Sequence, residues 1–381
     1  MRVIFNVDAI TAPLTGIGRY ALELARGLAK HPAIDELRLY SAYRWVDDPT
    51  HALAANRTIA ALRRSVPFKA QALELYTQLR GALFRAHTRR LDGWLLHTPN
   101  YILMPFDGAA LTTVHDLSWL SYPEAHPPER VRFLERHLPR TLERANLVLT
   151  DSDFIAAEIE STFALPRAKI RVIALGVDAV YRPRSAEELA PALARHDLQA
   201  GRYLLVVATL EPRKNLARLV RAYAMLPAAL KARYQLVIVG ARGWLNTELE
   251  RVLAPLEAAG AARRLGYVDE EALPSIYAGA HACAFPSLYE GFGLPVLEAM
   301  ASGVPVLTSN VSSLPEVAGD AALTVDPLDE TALRAGLERV LEDAGWRAAA
   351  ITRGIERARA FTWARCVDDT VAAYRVALAA I

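Results

Sequence analysis

The sequence predicts an α/β protein of two successive domains, each built on a parallel sheet. Three observations carry that prediction. Short apolar strands alternate with helical stretches, the alternation breaks between Val177 and Ala200, and it restarts at Tyr203. Near-continuous apolar strands with helices between them imply a parallel sheet covered on both faces. With 381 residues the chain is long enough for two domains of ordinary size.

Each element can be placed in turn. Val3–Val7 reads as a strand, Gly18–Ala29 as a helix and Leu37–Tyr40 as a second strand. Trp94–His97 and Leu111–His115 are short apolar strands. Pro128–Arg144 is helical, Leu147–Thr150 a strand, Asp153–Phe163 a helix and Ile170–Ala174 a strand. Val177 to Ala200 holds Pro183, Pro191 and several charges but no strand run, and reads as a linker. Beyond it, strands are expected at Tyr203–Val207, Gln235–Val239, His281–Ala284, Val304–Thr308 and Ala321–Val325, with a helix at Leu216–Met225. Trp363–Leu378 is a helix with no strand after it. The expected domains are residues 1–178 and 179–361, the second including the linker.

Composition narrows the function classes. A net charge of +2 argues against a dedicated nucleic-acid binder. Only two cysteines occur, Cys283 and Cys366, so neither a disulfide framework nor a zinc site is expected and a reducing compartment fits. Met1 leads directly into a strand and no run of ~18 apolar residues appears, so a cytoplasmic location is expected. One segment is strongly basic. Arg57, Arg63, Arg64, Lys69, Arg80, Arg85, Arg89 and Arg90 are opposed only by Glu74, with apolar residues interleaved. Such a segment can lie on an anionic membrane surface or form a solvated helix pair packed on its domain.

The most informative stretch runs from Phe285 to Val306. Gly291 and Gly293 follow an apolar strand, Pro295 suits the first turn of a helix, and Gly303 ends it. A glycine-rich loop that opens a helix after a strand presents free N–H groups and a positive dipole end, a site for phosphate. Glu290 lies in the loop and Glu298 about one turn inside the helix. Carboxylates there make sense as acceptors for hydroxyls, which a nucleotide sugar has on its ribose and on its sugar ring. The same pattern also fits a helix start with two ordinary acidic residues.

The run EGFGLPVLEAMASGVPV resembles the signature of family 4 of the retaining glycosyltransferases, two glutamates with seven residues between them. The resemblance covers nearly the whole chain and implies the GT-B fold, two Rossmann-like domains facing a central cleft, with the helix 362–381 packing back on the first. It implies that Glu290 contacts the transferred sugar and Glu298 the ribose, with Gly291, Phe292, Gly293 and Leu294 also on the donor. Thr209-Leu-Glu-Pro-Arg213-Lys214-Asn215 resembles the family's phosphate-binding turn, so Arg213 and Lys214 are expected to neutralise the departing diphosphate. Many relatives carry a Gly-Arg pair just after that strand; here Ala208 and Thr209 stand there, leaving Arg213 as the arginine clamp. Leu265-Gly266-Tyr267-Val268 resembles the loop whose backbone meets the nucleobase.

In the first half, Gly16-Ile-Gly18-Arg-Tyr-Ala21 fits a dinucleotide pattern, but it starts too far from its strand and has no acidic partner for a ribose. The resemblance places Gly16 and Gly18 in a loop facing the donor phosphates and the acceptor. Thr113-Val-His115-Asp116 puts a histidine at a strand's carboxyl end, and the HPPER run from His126 to Arg130 strengthens the resemblance. His115 is thereby expected to hydrogen-bond the transferred sugar, with Asp116 orienting it or approaching the acceptor. Asp151-Ser152-Asp153 mimics a D-x-D metal motif, yet a strand-to-helix junction favours a helix cap, so no metal ligand and no cofactor is assigned.

The implied reaction moves a hexose from a nucleoside diphosphate to an acceptor hydroxyl with retained configuration, by front-face attack in which the departing phosphate takes the acceptor's proton. HDLSWLSYPEAHPPER and LEPRKNL resemble bacterial mannosyltransferases and deoxyhexose transferases of surface polysaccharide synthesis. That suggests GDP-mannose, with GDP-rhamnose or a UDP-sugar as alternatives, and a glycan or lipid-linked acceptor at the inner face of the cytoplasmic membrane. A nucleotide-sugar epimerase or hydrolase, or a non-catalytic sugar-nucleotide sensor, would share the architecture.

Overall fold

The computed structural model describes residues 1–12, 14–50, 69–241 and 247–380, with side chains described except at 69–75. Of the basic segment, Arg57, Arg63 and Arg64 lie outside the described residues, as do the side chains of Lys69 and Glu74. The chain forms two units, Met1–Gly176 with Trp363–Ile381, and Val177–Thr362.

Among the described residues the first unit holds strands β1 (Arg2–Asn6), β2 (Glu36–Ser41), β3 (Arg44–Val46), β4 (Trp94–Thr98), β5 (Ala109–Thr113), β6 (Leu147–Thr150) and β7 (Ile170–Val172). Their order in the sheet is β3-β2-β1-β4-β5-β6-β7. β4 and β5 are buried along their whole length, as strands covered on both faces must be. All neighbours run parallel except β3, an antiparallel edge that the sequence reading missed. Ala42 turns into it with φ +53, and the Asp8 carboxylate accepts the Ala42 N–H at 2.6 Å. The longer helices are α1 (Gly16–Leu28), α2 (Lys69–Thr88), α3 (Pro128–Arg144) and α4 (Asp153–Phe163).

The expected linker is not one. Residues 177–200 belong to the second unit and carry helix α5 (Ala186–Arg195). Ser185 Oγ accepts the Glu188 N–H while Glu188 accepts the Ser185 N–H, a reciprocal cap that offsets the hydrogen bond lost at Pro191. The unit continues with β8 (Tyr203–Val207), α6 (Leu216–Ala224), β9 (Gln235–Val239), α7 (Thr247–Ala258), β10 (Ala262–Gly266), β11 (Ala282–Phe285), α8 (Leu294–Ala301), β12 (Val306–Ser309), β13 (Leu323–Val325), α9 (Glu330–Glu342) and α10 (Ala344–Arg359). The strand order β10-β9-β8-β11-β12-β13 is all parallel and reverses between β8 and β11. Ligands of such sheets bind at the carboxyl ends of the strands beside that reversal. The final helix, α11 (Trp363–Ala379), packs on α1 and β5 of the first unit.

Candidate active site

The loops that leave β8 and β11 flank the reversal, which brings together residues far apart in sequence. After β11 the chain forms a loop to Gly293, which adopts φ +121 at the mouth of α8. A Cβ there would lie 2.8 Å from Leu314 Cδ2, so only glycine fits this turn. Ser313 Oγ donates to the carbonyls of Glu290 and Phe292, both at 2.8 Å, and the Glu290 N–H donates to Ser312 Oγ at 3.2 Å. These serines, which the sequence reading missed, pin the loop from the element that follows β12.

After β8, Arg213 and Lys214 sit on a short 3-10 turn ending at Asn215, whose side-chain amide donates to the carbonyls of Pro286 and Pro327 at 3.1 and 2.7 Å. Arg213 donates to the Tyr289 carbonyl at 2.7 Å, to Glu290 at 3.0 Å and to Glu211 at 2.6 Å. Lys214 donates to the other Glu290 oxygen at 2.6 Å. None of the four charged side chains is more than 13% exposed, so their mutual pairing is poorly screened. Burial would raise the Glu290 pKa, but Lys214 and Arg213 outweigh it and hold the carboxylate below its usual range. Burial and the neighbouring Arg213 lower the Lys214 pKa against the pull of Glu290.

This differs from the clamp expected of Arg213. Its guanidinium is engaged by protein carboxylates, as is the Lys214 ammonium. Both oxygens of Glu290 are thus occupied by these two cations.

The other donor-side residues divide. Glu298 is buried in α8, and its charge, after burial itself, raises the Tyr277 hydroxyl pKa well above normal. Phe292 departs from the expected donor contact: its ring is buried and packs edge-on against Phe361 at 5.8 Å. Gly291 is buried in the loop and Leu294 opens the helix. Tyr267 is 57% exposed while Val268 is buried. A cavity of about 160 Å³ lies next to them, lined by Leu210, Ile238, Gly240, Arg264 and Gly266 at the carboxyl ends of β8, β9 and β10. Arg264 is fixed there by both oxygens of Glu257 and by Glu250.

In the first unit the expected roles shift. His115 lies just past β5 and is buried. Its Nδ1 is 2.7 Å from an Asp151 oxygen and its Nε2 is 2.9 Å from the Pro99 carbonyl. The Pro99 carbonyl can only accept, so Nε2 carries a proton, and with Asp151 ionised Nδ1 donates as well and the ring is an imidazolium. Burial works against that charge, but Asp151 and the Pro99 carbonyl outweigh it and raise the pKa. Burial also raises the Asp151 pKa, with the His115 cation opposing. His115 can meet a sugar only if the Pro99 bond is given up.

Asp116 does not orient His115. It accepts from the Tyr101 hydroxyl at 2.7 Å and from Ser118 Oγ at 2.9 Å. The orienting carboxylate is Asp151, from the D-x-D look-alike. Ser152 caps α4 and Asp153 pairs with Arg167, so the two aspartates of that motif point to different tasks. Gly16 and Gly18 are not in a loop. They form the first turn of α1, capped by Thr15, and a Cβ on Gly18 would sit 3.0 Å from the Ala9 carbonyl.

A parallel sheet whose order reverses beside a loop-borne Glu/Arg/Lys cluster, with a glycine-opened helix at the same edge, has the chemistry that suits a phosphorylated, hydroxyl-bearing ligand. Comparison with known proteins gives the particular family. Residues 14–181 match the model for Glycosyltransferase Family 4, and residues 195–357 the model for Glycosyl transferases group 1. The chain is 41% identical to O-antigen chain mannosyltransferase B of Escherichia coli, over 99% of this chain and 100% of that protein. Among solved structures it resembles sucrose-phosphate synthase from Thermosynechococcus elongatus, with TM-score 0.76, 23% identity and all of both chains covered. Anabaena HepE in complex with UDP-glucose gives TM-score 0.74 at 16% identity, covering 98% of this chain and 99% of that one. The chain belongs to glycosyltransferase family 4: it is a retaining hexosyltransferase of the GT-B fold.

Proposed function

We propose that the protein moves mannose from GDP-mannose to a hydroxyl of a glycan or lipid-linked acceptor. The observation that carries this reading is the Glu290–Lys214–Arg213 cluster, which a diphosphate can open by exchange. In that reaction the bond from the anomeric carbon to the phosphate oxygen breaks on the face where the acceptor oxygen bonds. The acceptor's proton passes to the departing diphosphate, so no strong protein base is required. Arg213 and Lys214 stabilise the leaving charge, Glu290 and Glu298 hold hydroxyls of sugar and ribose, and the cavity beside Gly266 takes the base. His115 and the first turn of α1 are assigned to the first unit's share of the work. No metal and no cofactor is assigned a part.

The mannosyltransferase relative, matched over its whole length, supports mannose. The UDP-glucose complex of HepE supports a UDP-sugar as the second reading. Among the described residues no helix is long and apolar enough to cross a membrane. Leu79 and Leu83 protrude from α2, at 55% and 43% exposure, with Arg85 exposed on the same helix, while Arg80 turns inward to pair with Asp8. This supports docking of that face on an anionic membrane at its cytoplasmic side.

Two measurements test the reading. In a thermal-shift panel of GDP, UDP and ADP sugars, GDP-mannose in large excess should stabilise the protein by about 2–4 kcal/mol, and a larger shift with a UDP-sugar would reassign the base. Glu290→Ala should cut transfer by at least about 100-fold with an unchanged circular dichroism spectrum. Undiminished turnover in that variant rules the assignment out.

A further inference from the structure

A buried line of hydrogen bonds in the first unit leads from the C-terminal helix to the edge of His115. Tyr374, on α11, has its hydroxyl 2.7 Å from His97 Nδ1. His97, on β4, has Nε2 2.9 Å from Thr113 Oγ1. Thr113, on β5, has the same oxygen 3.0 Å from the Tyr20 hydroxyl. The Tyr20 ring, on α1, meets the His115 ring edge-on, with centroids 4.9 Å apart and an interplanar angle of 83°. All four residues are buried.

We propose that Tyr374, acting through His97 and Thr113, is a positioning residue that fixes Tyr20 and thereby the placement of His115. The proposal rests on the assignment of His115 to the reaction.

Three features favour positioning over mere stability. Apolar side chains of similar shape would hold α11 on the sheet at no polar desolvation cost, so buried hydroxyls and an imidazole there serve direction rather than adhesion. The line joins four separate elements, and each bond restricts both distance and angle. Contact between α11 and α1 is also unusually close: a Cβ on Gly27 would lie 2.3 Å from Val367 Cγ2. A displacement of α11 must therefore reach the helix whose first turn holds Gly16 and Gly18. Burial, with the nearby His115 cation, lowers the His97 pKa to about 3, so the ring stays neutral with one donor and one acceptor nitrogen.

The test compares two variants of the same helix. Tyr374→Phe removes the hydroxyl and keeps the ring. Val371→Ala removes buried packing and leaves the hydrogen bonds in place. Tyr374→Phe should lower kcat about tenfold with little change in KM, and should shift the imidazole NMR signals of His115. Val371→Ala should lower the melting temperature at least as far while keeping wild-type kcat and His115 signals. Thr113→Ser should keep wild-type behaviour and Thr113→Val should copy Tyr374→Phe. The proposal is overturned if Tyr374→Phe leaves the His115 signals in place, or if Val371→Ala reproduces its kcat loss. Shifted His115 signals at wild-type kcat uphold the positioning and overturn instead the assignment of His115 to the reaction.

Discussion

The two units each hold a buried charge cluster at a strand's carboxyl end, and the clusters are closed in different ways. In the second unit two carboxylates and two cations cancel on two neighbouring loops, with Glu290 shared between Arg213 and Lys214. In the first unit one imidazolium is held between one carboxylate and one carbonyl, both His115 and Asp151 at 5% exposure or less. A shared carboxylate on a loop can be exchanged for a phosphate. An imidazolium with both nitrogens committed offers a ligand little without breaking a bond. The second unit's cluster can thus change partners by exchange, while in the first unit the Pro99 bond must open before His115 meets a ligand.

The largest break in that comparison comes from Arg213→Ala. It turns a cluster of zero net charge into one of −1 and frees the Tyr289 carbonyl that Arg213 holds. Binding of a nucleoside diphosphate should weaken about 100-fold, as expected for the loss of a charge-assisted pair of bonds of ~2–3 kcal/mol. Calorimetric titration with GDP checks this, and an unchanged affinity would make Arg213 a loop anchor only.

The sealed pair should instead show itself in the pH dependence of stability. The folded-state pKa of His115 is raised, so its stabilising contribution is complete below the unfolded value of ~6.5 and is lost as pH rises through the folded pKa. The slope in that window should not exceed about 1.4 kcal/mol per pH unit, the limit for one proton. Denaturant titrations above pH 6.5 should show the decline in the wild type. The double variant His115→Asn with Asp151→Asn should lack it; a decline of equal slope in both places the titrating group elsewhere.

The same contrast explains what was legible in the sequence. Glu290 and Glu298 lie within one strand–loop–helix run, and their spacing survives as a string of residues. The partners of His115 lie at positions 99 and 151, and only the sheet brings them together, so the adjacent Asp116 was given the role that belongs to Asp151. Ser312 and Ser313 escape a sequence reading for the same reason, whereas Glu211 lies two residues from Arg213 within one turn and is open to it. Among the strands, β4 and β5, fully buried, and β8, buried but for Val207, announce themselves as largely apolar runs. β10 reads Ala-Arg-Arg-Leu-Gly and was passed over, because an edge strand can carry Arg263 and Arg264, paired with Asp197, Glu250 and Glu257. Pro183, Pro191 and the charges of residues 177–200 read as a linker, yet the Ser185–Glu188 cap starts a helix that runs through Pro191.

The finest test asks whether the second unit's neutrality is itself functional. The Glu211 carboxylate contacts Arg213 at 2.6 Å, while the Lys214 N–H donates to the Glu211 backbone carbonyl at 3.0 Å. Glu211→Gln keeps a hydrogen-bond acceptor for the guanidinium and moves the cluster from zero to +1. If the carboxylates compete with the donor for Arg213, GDP should bind about two- to fivefold more tightly, equivalent to ~0.5–1 kcal/mol. Turnover should not rise with it, because a diphosphate held more tightly in the product complex leaves more slowly. Weaker GDP binding in this variant would mean that Glu211 orients Arg213 toward the phosphate instead of restraining it, and the exchange at Glu290 would then carry the whole of the opening step.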